Sequence, residues 1–477
     1  MLIGAMLAAP CPAAPPRPNF LLILTDDLGY GDLTCFGHKD TRTPRLDAMA
    51  ADGVRLTAFY VTSPVCSPTR ASFMTGRHPQ RFDIHHADLP ERLPRYPLPE
   101  DAVTVAELLK NDGYLTGHYG KWHLGEPPLT PMPRRHGFDR FFGGMGGRPS
   151  SSWSRWARSN DPQMFTDERP ATTYPGHVTD VTTDHCLEFL EHAVAQERPF
   201  YVNLWFNAPH APLTPQVDQI ARFAERDDLS QRQKVYYATV ENLDANVGRI
   251  LEKLEALGVA DNTLVLFTSD NGPESHSYRY AAGSTGPLRG IKTQLWEGGI
   301  RVPTIARYPD ALAGGRVYAQ PASALDWVPT VCALAGIETP QELDEGMNLM
   351  PLLSGEASPE PRSLYFEFHY PQRKPRRDEW PLTHGDEPSG PLVMRRGDWK
   401  LHMYPDLGRV RLYHLATDPG EQTELAEQHP HIAGELAAEL EGWYATLPHE
   451  GPNLEITRVP VPETEEEANR LPLAGAR

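Results

Sequence analysis

Two acidic pairs sit directly after apolar runs that read as strands. Asp26-Asp27 follows Phe20-Leu21-Leu22-Ile23-Leu24-Thr25, and Asp270-Asn271 follows Thr263-Leu264-Val265-Leu266-Phe267-Thr268-Ser269. Three carboxylates and an amide oxygen are hard ligands, the donor set that calcium or magnesium takes. Each pair alone reads as a polar turn or a helix cap. Together, at adjacent strand ends, they put a metal site on an equal footing. The second feature is Cys66, inside Ser63-Pro64-Val65-Cys66-Ser67-Pro68-Thr69-Arg70. Pro68 suits a first helical turn, and the helix would run to Gly76. Cys66 then lies at the positive helix end, where an anion is favoured. A lone cysteine is more often a buried, inert thiol, so Cys66 needs support from the rest of the chain.

The elements that must position these residues form an α/β pattern. The runs at 20–25, 200–206 and 263–270 read as buried strands of a mostly parallel sheet, because they are apolar without alternation. Helices are predicted over 43–50, 104–111 and 231–257, each closed by a glycine or an Asp-Gly pair. Strands alternating with helices argue for a sheet covered on both faces. Ligands in such sheets gather beyond the carboxyl ends of the strands, where Asp26, Asp27 and Asp270 fall. After about residue 360 the pattern changes. The segments 364–368, 399–404 and 410–415 alternate as antiparallel strands do, and 431–444 reads as a covering helix. The stretch 371–391 is charged and proline-rich, and reads as a loop. The expected division is a catalytic unit over 19–360 and a smaller antiparallel sheet with a helix and an acidic tail over 361–477.

Bulk properties narrow the choices. The 477 residues allow about two to three domain-sized units. Net charge is -18, which argues against a nucleic-acid-binding face. A few clustered cations could still receive an anionic substrate. Mean hydropathy is -0.48, and no run approaches the roughly 18 apolar residues of a membrane span. Cys11, Cys35, Cys66, Cys186 and Cys332 form no CxxC pair, so zinc and redox motifs are not indicated. One disulfide among Cys35, Cys186 and Cys332 stays open. Residues 1–18 read as an export signal without a basic n-region, or as a disordered tail.

The decisive context is a set of motifs in a fixed order. They are Thr25-Asp26-Asp27-Leu28-Gly29-Tyr30-Gly31-Asp32, Cys66-Ser67-Pro68-Thr69-Arg70 with Thr75-Gly76-Arg77, and Gly120-Lys121-Trp122-His123-Leu124-Gly125. Then come Ala208-Pro209-His210, Ser269-Asp270-Asn271-Gly272, and Lys292 ahead of Glu297-Gly298-Gly299-Ile300-Arg301. This set strongly resembles the sulfatase family, formylglycine-dependent members of the alkaline-phosphatase superfamily, over most of the chain from about residue 19. The resemblance implies an alkaline-phosphatase-like sheet. It also implies that a maturation enzyme oxidises Cys66 to Cα-formylglycine. The aldehyde hydrate carries two hydroxyls on one carbon. One attacks sulfur to form a sulfate ester; the other then expels sulfate and regenerates the aldehyde.

The same resemblance implies roles for the partners. Asp26, Asp27, Asp270 and Asn271, with residue 66, would hold calcium, or magnesium in its place. Arg70 and Lys121 would stabilise the hydrate. His123 would be the base for sulfate release. His210 and Lys292 would grip the sulfate and help protonate the leaving alcohol. Outside this set, His85, His86, Arg148, Trp153 and His276 lie in polar, aromatic-bearing loops and are candidates for substrate specificity. The expected substrate is a sulfated saccharide or an aryl sulfate. Two further readings stand beside this one: a phosphodiester or phosphonate monoester hydrolase sharing the nucleophile, and a non-catalytic sulfated-glycan-binding protein.

Overall fold

The computed structural model describes residues 17–86, 97–125, 132–144, 164–167, 169–170, 176–211, 213, 215–274, 282–343, 345–358, 360–368, 389–405 and 408–448. Eleven strands form the large sheet: β1 Asn19–Thr25, β2 Val54–Tyr60, β3 Leu115–Gly120, β4 Arg140–Gly144, β5 Met164–Thr166, β6 Arg169–Pro170, β7 Phe200–Trp205, β8 Thr263–Ser269, β9 Arg301–Arg307, β10 Arg316–Tyr318 and β11 Ala322–Ser323. Their order is β10-β2-β9-β8-β1-β7-β3-β4-β5-β6, with β11 also on β2. The middle strands β8, β1, β7, β3 and β4 are parallel. β9 runs antiparallel between β8 and β2, so β2 points the same way as β8.

The longer helices are α1 Pro44–Asp52, α2 Cys66–Thr75, α3 Val105–Asn111, α4 Val178–Ala195, α5 Gln231–Ala256, α6 Trp327–Ala335 and α7 Pro430–Tyr444. Every residue of β1 is buried. Phe20, Leu22 and Leu24 pack on one face with Phe73 and Met74 of α2, Leu109 of α3 and Val331 of α6. Leu21 and Ile23 pack on the other with Leu46 of α1, Leu190 of α4 and Leu243 of α5. A strand buried on both faces has no reason to alternate, which explains the unbroken apolar run.

The second sheet has the order β12-β13-β14-β15, from β12 Ser363–Glu367, β13 Leu392–Arg396, β14 Trp399–Tyr404 and β15 Arg409–His414. All its pairings are antiparallel. β13 is one strand more than the sequence pattern predicts. Leu392, Met394, Leu401 and Leu412 pack beneath Leu436 and Leu440 of α7. Leu364, Phe366 and Val393 join the core of the large sheet instead, so the small sheet is sandwiched between α7 and the rest of the molecule. Cys35, Cys66, Cys186 and Cys332 are all free of disulfides, which closes the question of a bridge among them. Residues 1–16, with Cys11, lie outside the described residues, as do most of 371–391 and the tail after 448.

Candidate active site

The named motifs converge on one edge of the large sheet. Asp26 and Asp27 follow β1, Asp270 and Asn271 follow β8, Lys121 and His123 follow β3, and His210 lies shortly past β7. These are the carboxyl ends of neighbouring parallel strands. The polypeptide closes the edge with backbone hydrogen bonds. Asp270 N donates to Thr25 O at 3.1 Å, Asp26 N to Ala208 O at 3.1 Å, and Lys121 N to Trp205 O at 2.8 Å. Asp27, His123 and Thr293 hold φ values of 68, 59 and 71°. Non-glycine residues in this region cost about 1–3 kcal/mol each, and such strain concentrates where side chains must be aimed.

Cys66 is the first residue of α2, and all ten residues of that helix are buried. Its sulfur lies with carboxylate oxygens of Asp26 and Asp27 in a group whose donor atoms are within 4.8 Å of one another. Burial pushes the Cys66 thiol well up from its ordinary value; Lys121 and Lys292 oppose this, and Asp26 and Asp270 add to it. Burial thus favours the neutral thiol over the thiolate, and the neutral form is a poor nucleophile.

The cations around it are paired. Lys121 Nζ donates to Asp26 Oδ2 at 2.7 Å. Arg70 donates to Asp270 Oδ2 from Nε at 3.0 Å and from Nη2 at 2.6 Å, and its guanidinium lies over the Trp205 ring at 5.2 Å. Lys292 Nζ reaches both oxygens of Asp27, at 2.8 and 2.9 Å, and Glu274 Oε2 at 3.3 Å. His210 Nε2 is 3.7 Å from Asp27 Oδ2. Burial alone would raise the Asp26 carboxyl; Lys121, His210, Arg70 and Lys292 outweigh it and hold the group far below the usual range. Asp270 goes the other way, up to about 7, because burial and the charge of Asp26 exceed the pull of Arg70 and Lys121.

Two oxygens are left over. Asp26 Oδ1 and Asn271 Oδ1 are buried without a hydrogen-bond donor. Buried polar atoms are rarely orphaned, and two hard oxygens beside Asp27 fit a divalent cation. Asn271 Nδ2 donates to Asp27 Oδ1 at 2.7 Å, and turning the amide over would bring Oδ1 to the Asp27 side as a cation ligand. Asp270 keeps Oδ1 for the Asp27 N–H at 3.3 Å.

The predicted core set is thus brought together: Asp26, Asp27, Cys66, Arg70, Lys121, His210, Asp270, Asn271 and Lys292. His123 is buried, and its carbonyl accepts the Ser67 hydroxyl. His85 is held between Glu367 at 3.0 Å and Asp83 at 3.1 Å, and the His86 ring meets Phe368 edge-on. Both histidines therefore tie the chain after α2 to β12 and its exit. Arg148, Trp153 and His276 lie outside the described residues. Sequence reasoning missed Glu274 and Trp205. Glu274 stands just past Asn271-Gly272-Pro273, where a further carboxylate was a usable signal. Trp205 reads only as one more apolar residue of the 200–206 run.

An edge that is acidic at its centre and cationic around it suits a hydrolase of oxyanion esters. The chain belongs to the sulfatase family: the family model described as Sulfatase matches residues 18–337. A second, described as N-sulphoglucosamine sulphohydrolase, C-terminal, matches residues 291–445. Human arylsulfatase A is 36% identical over 425 residues, covering 83% of this chain and 77% of its own. Canine N-acetylgalactosamine-6-sulfatase is 35% identical over 374 residues, covering 74% and 69%. Among solved structures, Ps i-CgsB in complex with k-i-k-neocarrahexaose has a TM-score of 0.79 at 28% identity, covering 95% of this chain and 96% of that one. The protein is a sulfuric ester hydrolase, and the phosphodiester and non-catalytic readings are set aside.

Proposed function

We propose that this sulfatase cleaves sulfate monoesters of saccharides, with Cys66 converted to formylglycine and a calcium ion held by Asp26, Asp27, Asp270 and Asn271. Magnesium is the alternative ion. The observation that carries the reading is the position of Cys66, a buried residue at a helix start among hard oxygen donors and lysines. A thiol is a poor partner for such a set, whereas an oxygen at this position matches it. Formylglycine, hydrated, supplies a hydroxyl nucleophile and a second hydroxyl for release, and the cation supplies charge that polarises sulfate oxygens.

The chain's own groups do the rest. Arg70 and Lys121 stabilise negative charge at residue 66, each anchored by a carboxylate. Lys292 and His210, both beside Asp27, bind the sulfate and deliver a proton to the leaving alcohol. His123 accepts the proton that accompanies sulfate release. Burial of these charges is tolerable because each meets an opposite one. The saccharide reading draws on Ps i-CgsB, whose solved complex holds a neocarrahexaose. His85, His86, Arg148, Trp153 and His276 remain the proposed specificity residues.

We assign 19–360 to the catalytic unit and 361–477 to the C-terminal one. No helix among the described residues is long and apolar enough to cross a membrane; export through residues 1–18 and action of a formylglycine-generating enzyme are part of this proposal. The test is a peptide mass across residue 66, with sulfate release from defined sulfated saccharides. Loss of sulfur and two hydrogens with gain of one oxygen is expected in active enzyme. Full activity with an intact thiol, or in Cys66→Ser, would sink the mechanism.

A further inference from the structure

The loop that carries Lys292 is held from two sides. On the inner side Lys292 N donates to Pro273 O at 3.0 Å, Thr293 N to Pro64 O at 2.9 Å, and Gly272 N to Gly299 O at 2.9 Å. These bonds tie Lys292 to the segments that bear Asn271 and Cys66. On the outer side three hydrogen bonds and a ring contact come from the second sheet or its flanks. Leu295 N donates to Ser389 Oγ at 2.9 Å, Glu297 N to Glu421 Oε2 at 2.6 Å, and Arg289 Nη1 to Glu421 O at 2.9 Å. The Trp296 ring lies 4.2 Å from that of His402.

At the centre of this grip is a buried charge cluster that the reaction does not use. Lys400 Nζ, on β14, lies 2.9 Å from Glu297 Oε1 and 3.1 Å from Glu421 Oε1, and all three side chains are fully buried. His402 Nε2 donates to Glu421 Oε1 at 2.8 Å. Glu297 accepts a further hydrogen bond on Oε2 from the hydroxyl of Tyr60 at 2.5 Å, and Arg301 Nη1 lies 3.3 Å from the same oxygen. Tyr60 ends β2, the strand that leads to Cys66. Glu297 thus joins three parts: the strand before Cys66, the loop of Lys292, and the small sheet.

Apolar packing could hold the small sheet in place, but it would not fix a direction. A buried ammonium shared by two carboxylates does, because each lost partner strands a charge in the interior. The geometry points to Lys400 and Glu421 as positioning residues, which aim Lys292 at the substrate sulfate by fixing Glu297 and the loop 289–299. This rests on the reading of Lys292 as a sulfate-binding residue.

The experiment uses full-length enzyme in which residue 66 has been matured. Lys400→Met should melt cooperatively above the assay temperature, yet lower kcat/KM for an aryl sulfate about 10- to 100-fold per formylglycine, as loss of supporting partners typically does. Lys400→Arg should recover part of that loss. The decisive measurement is the cycle with Lys292→Ala: Lys400→Met should have little further effect in that background. Should Lys400→Met not fold, Glu421→Gln takes its place, because it leaves Lys400 paired with Glu297. A folded Lys400→Met with unchanged kcat/KM, or losses that multiply in the double variant, overturns the proposal. Full activity of Lys292→Ala alone instead overturns the role of Lys292 itself.

Discussion

Arg70 closes on a single oxygen of Asp270 with two nitrogens, Nε at 3.0 Å and Nη2 at 2.6 Å, while Nη1 donates to Lys121 O at 3.1 Å. One planar group thereby aligns the ends of two strands and a helix. A lysine lacks the planar fork whose separate nitrogens reach the Asp270 carboxylate and the Lys121 carbonyl in this fixed geometry. Arg70→Lys should therefore lower activity strongly, and Arg70→Ala should also destabilise the fold by about 3–5 kcal/mol, the usual result of stranding a buried charge. Denaturant unfolding of the two variants checks this. An unfolding midpoint for Arg70→Ala equal to that of the wild type would contradict it.

The orphaned oxygens of Asp26 and Asn271 make cation removal informative. Chelation should leave the carboxylates of Asp26 and Asp27 balanced only by Arg70, Lys121, Lys292 and His210. The expected outcome is a lower Tm, restored on adding calcium. At free calcium about 100 times its Kd the gain is about 2.7 kcal/mol. Asn271→Ala should weaken the response, because it removes one orphaned donor. A Tm indifferent to both chelator and calcium would refute the metal site.

Much of this site was legible because β1 and β8 are buried on both faces and end in acids. An apolar run that never alternates is the mark of a strand covered on both sides. α5 was equally plain: it is long, and Ser230 and Gln233 form a capping box at its start. The central strand β3 was not. Leu115-Thr116-Gly117-His118-Tyr119-Gly120 contains two glycines and a histidine, a composition that weakens a strand in isolation. It is a strand because β7 and β4 supply partners on both sides. α4 was hidden for a similar reason. Its first third, Val178-Thr179-Asp180-Val181-Thr182-Thr183, is β-branched and polar; burial of Val178, Val181, Phe189 and Leu190 overrides that preference. The Lys400 cluster could not be read at all, since Glu297, Lys400 and Glu421 meet only in three dimensions.

His118 sets a pH dependence. It is fully buried, with its ring 4.8 Å from that of Trp205 and 5.2 Å from that of Trp122. Nε2 faces the Lys121 carbonyl at 3.2 Å, so it donates and carries the proton of a neutral ring. Burial depresses its pKa to about 3 from an ordinary 6.5; the Lys121 carbonyl opposes this, and Arg70 adds to it. Burial likewise takes His136 down to about 4. Between these values and 6.5 the unfolded chain binds protons that the folded one refuses. Stability should therefore fall as pH drops from 6.5 toward 3, independently of catalysis. Tm measured across that range should decline less steeply in His118→Gln than in the wild type. Parallel curves would contradict the assignment.

Gly120 and Gly37 separate backbone conformation from close contact. Both hold left-handed φ values, 107 and 102°. A Cβ on Gly37 would meet nothing within 4 Å, whereas one on Gly120 would lie 1.9 Å from Trp205 O. Gly37→Ala should therefore cost only the conformational term, about 1–2 kcal/mol. Gly120→Ala carries that term and must also push β3 away from β7, at the bond from Lys121 N to Trp205 O. Lys121 then loses its line to Asp26, which its ammonium meets at 2.7 Å. Urea unfolding should show the larger loss in Gly120→Ala. Sulfate release per folded molecule should fall in Gly120→Ala and stay at the wild-type level in Gly37→Ala. Equal activity in the two variants would mean that the backbone turn before Lys121 does not set the position of its ammonium.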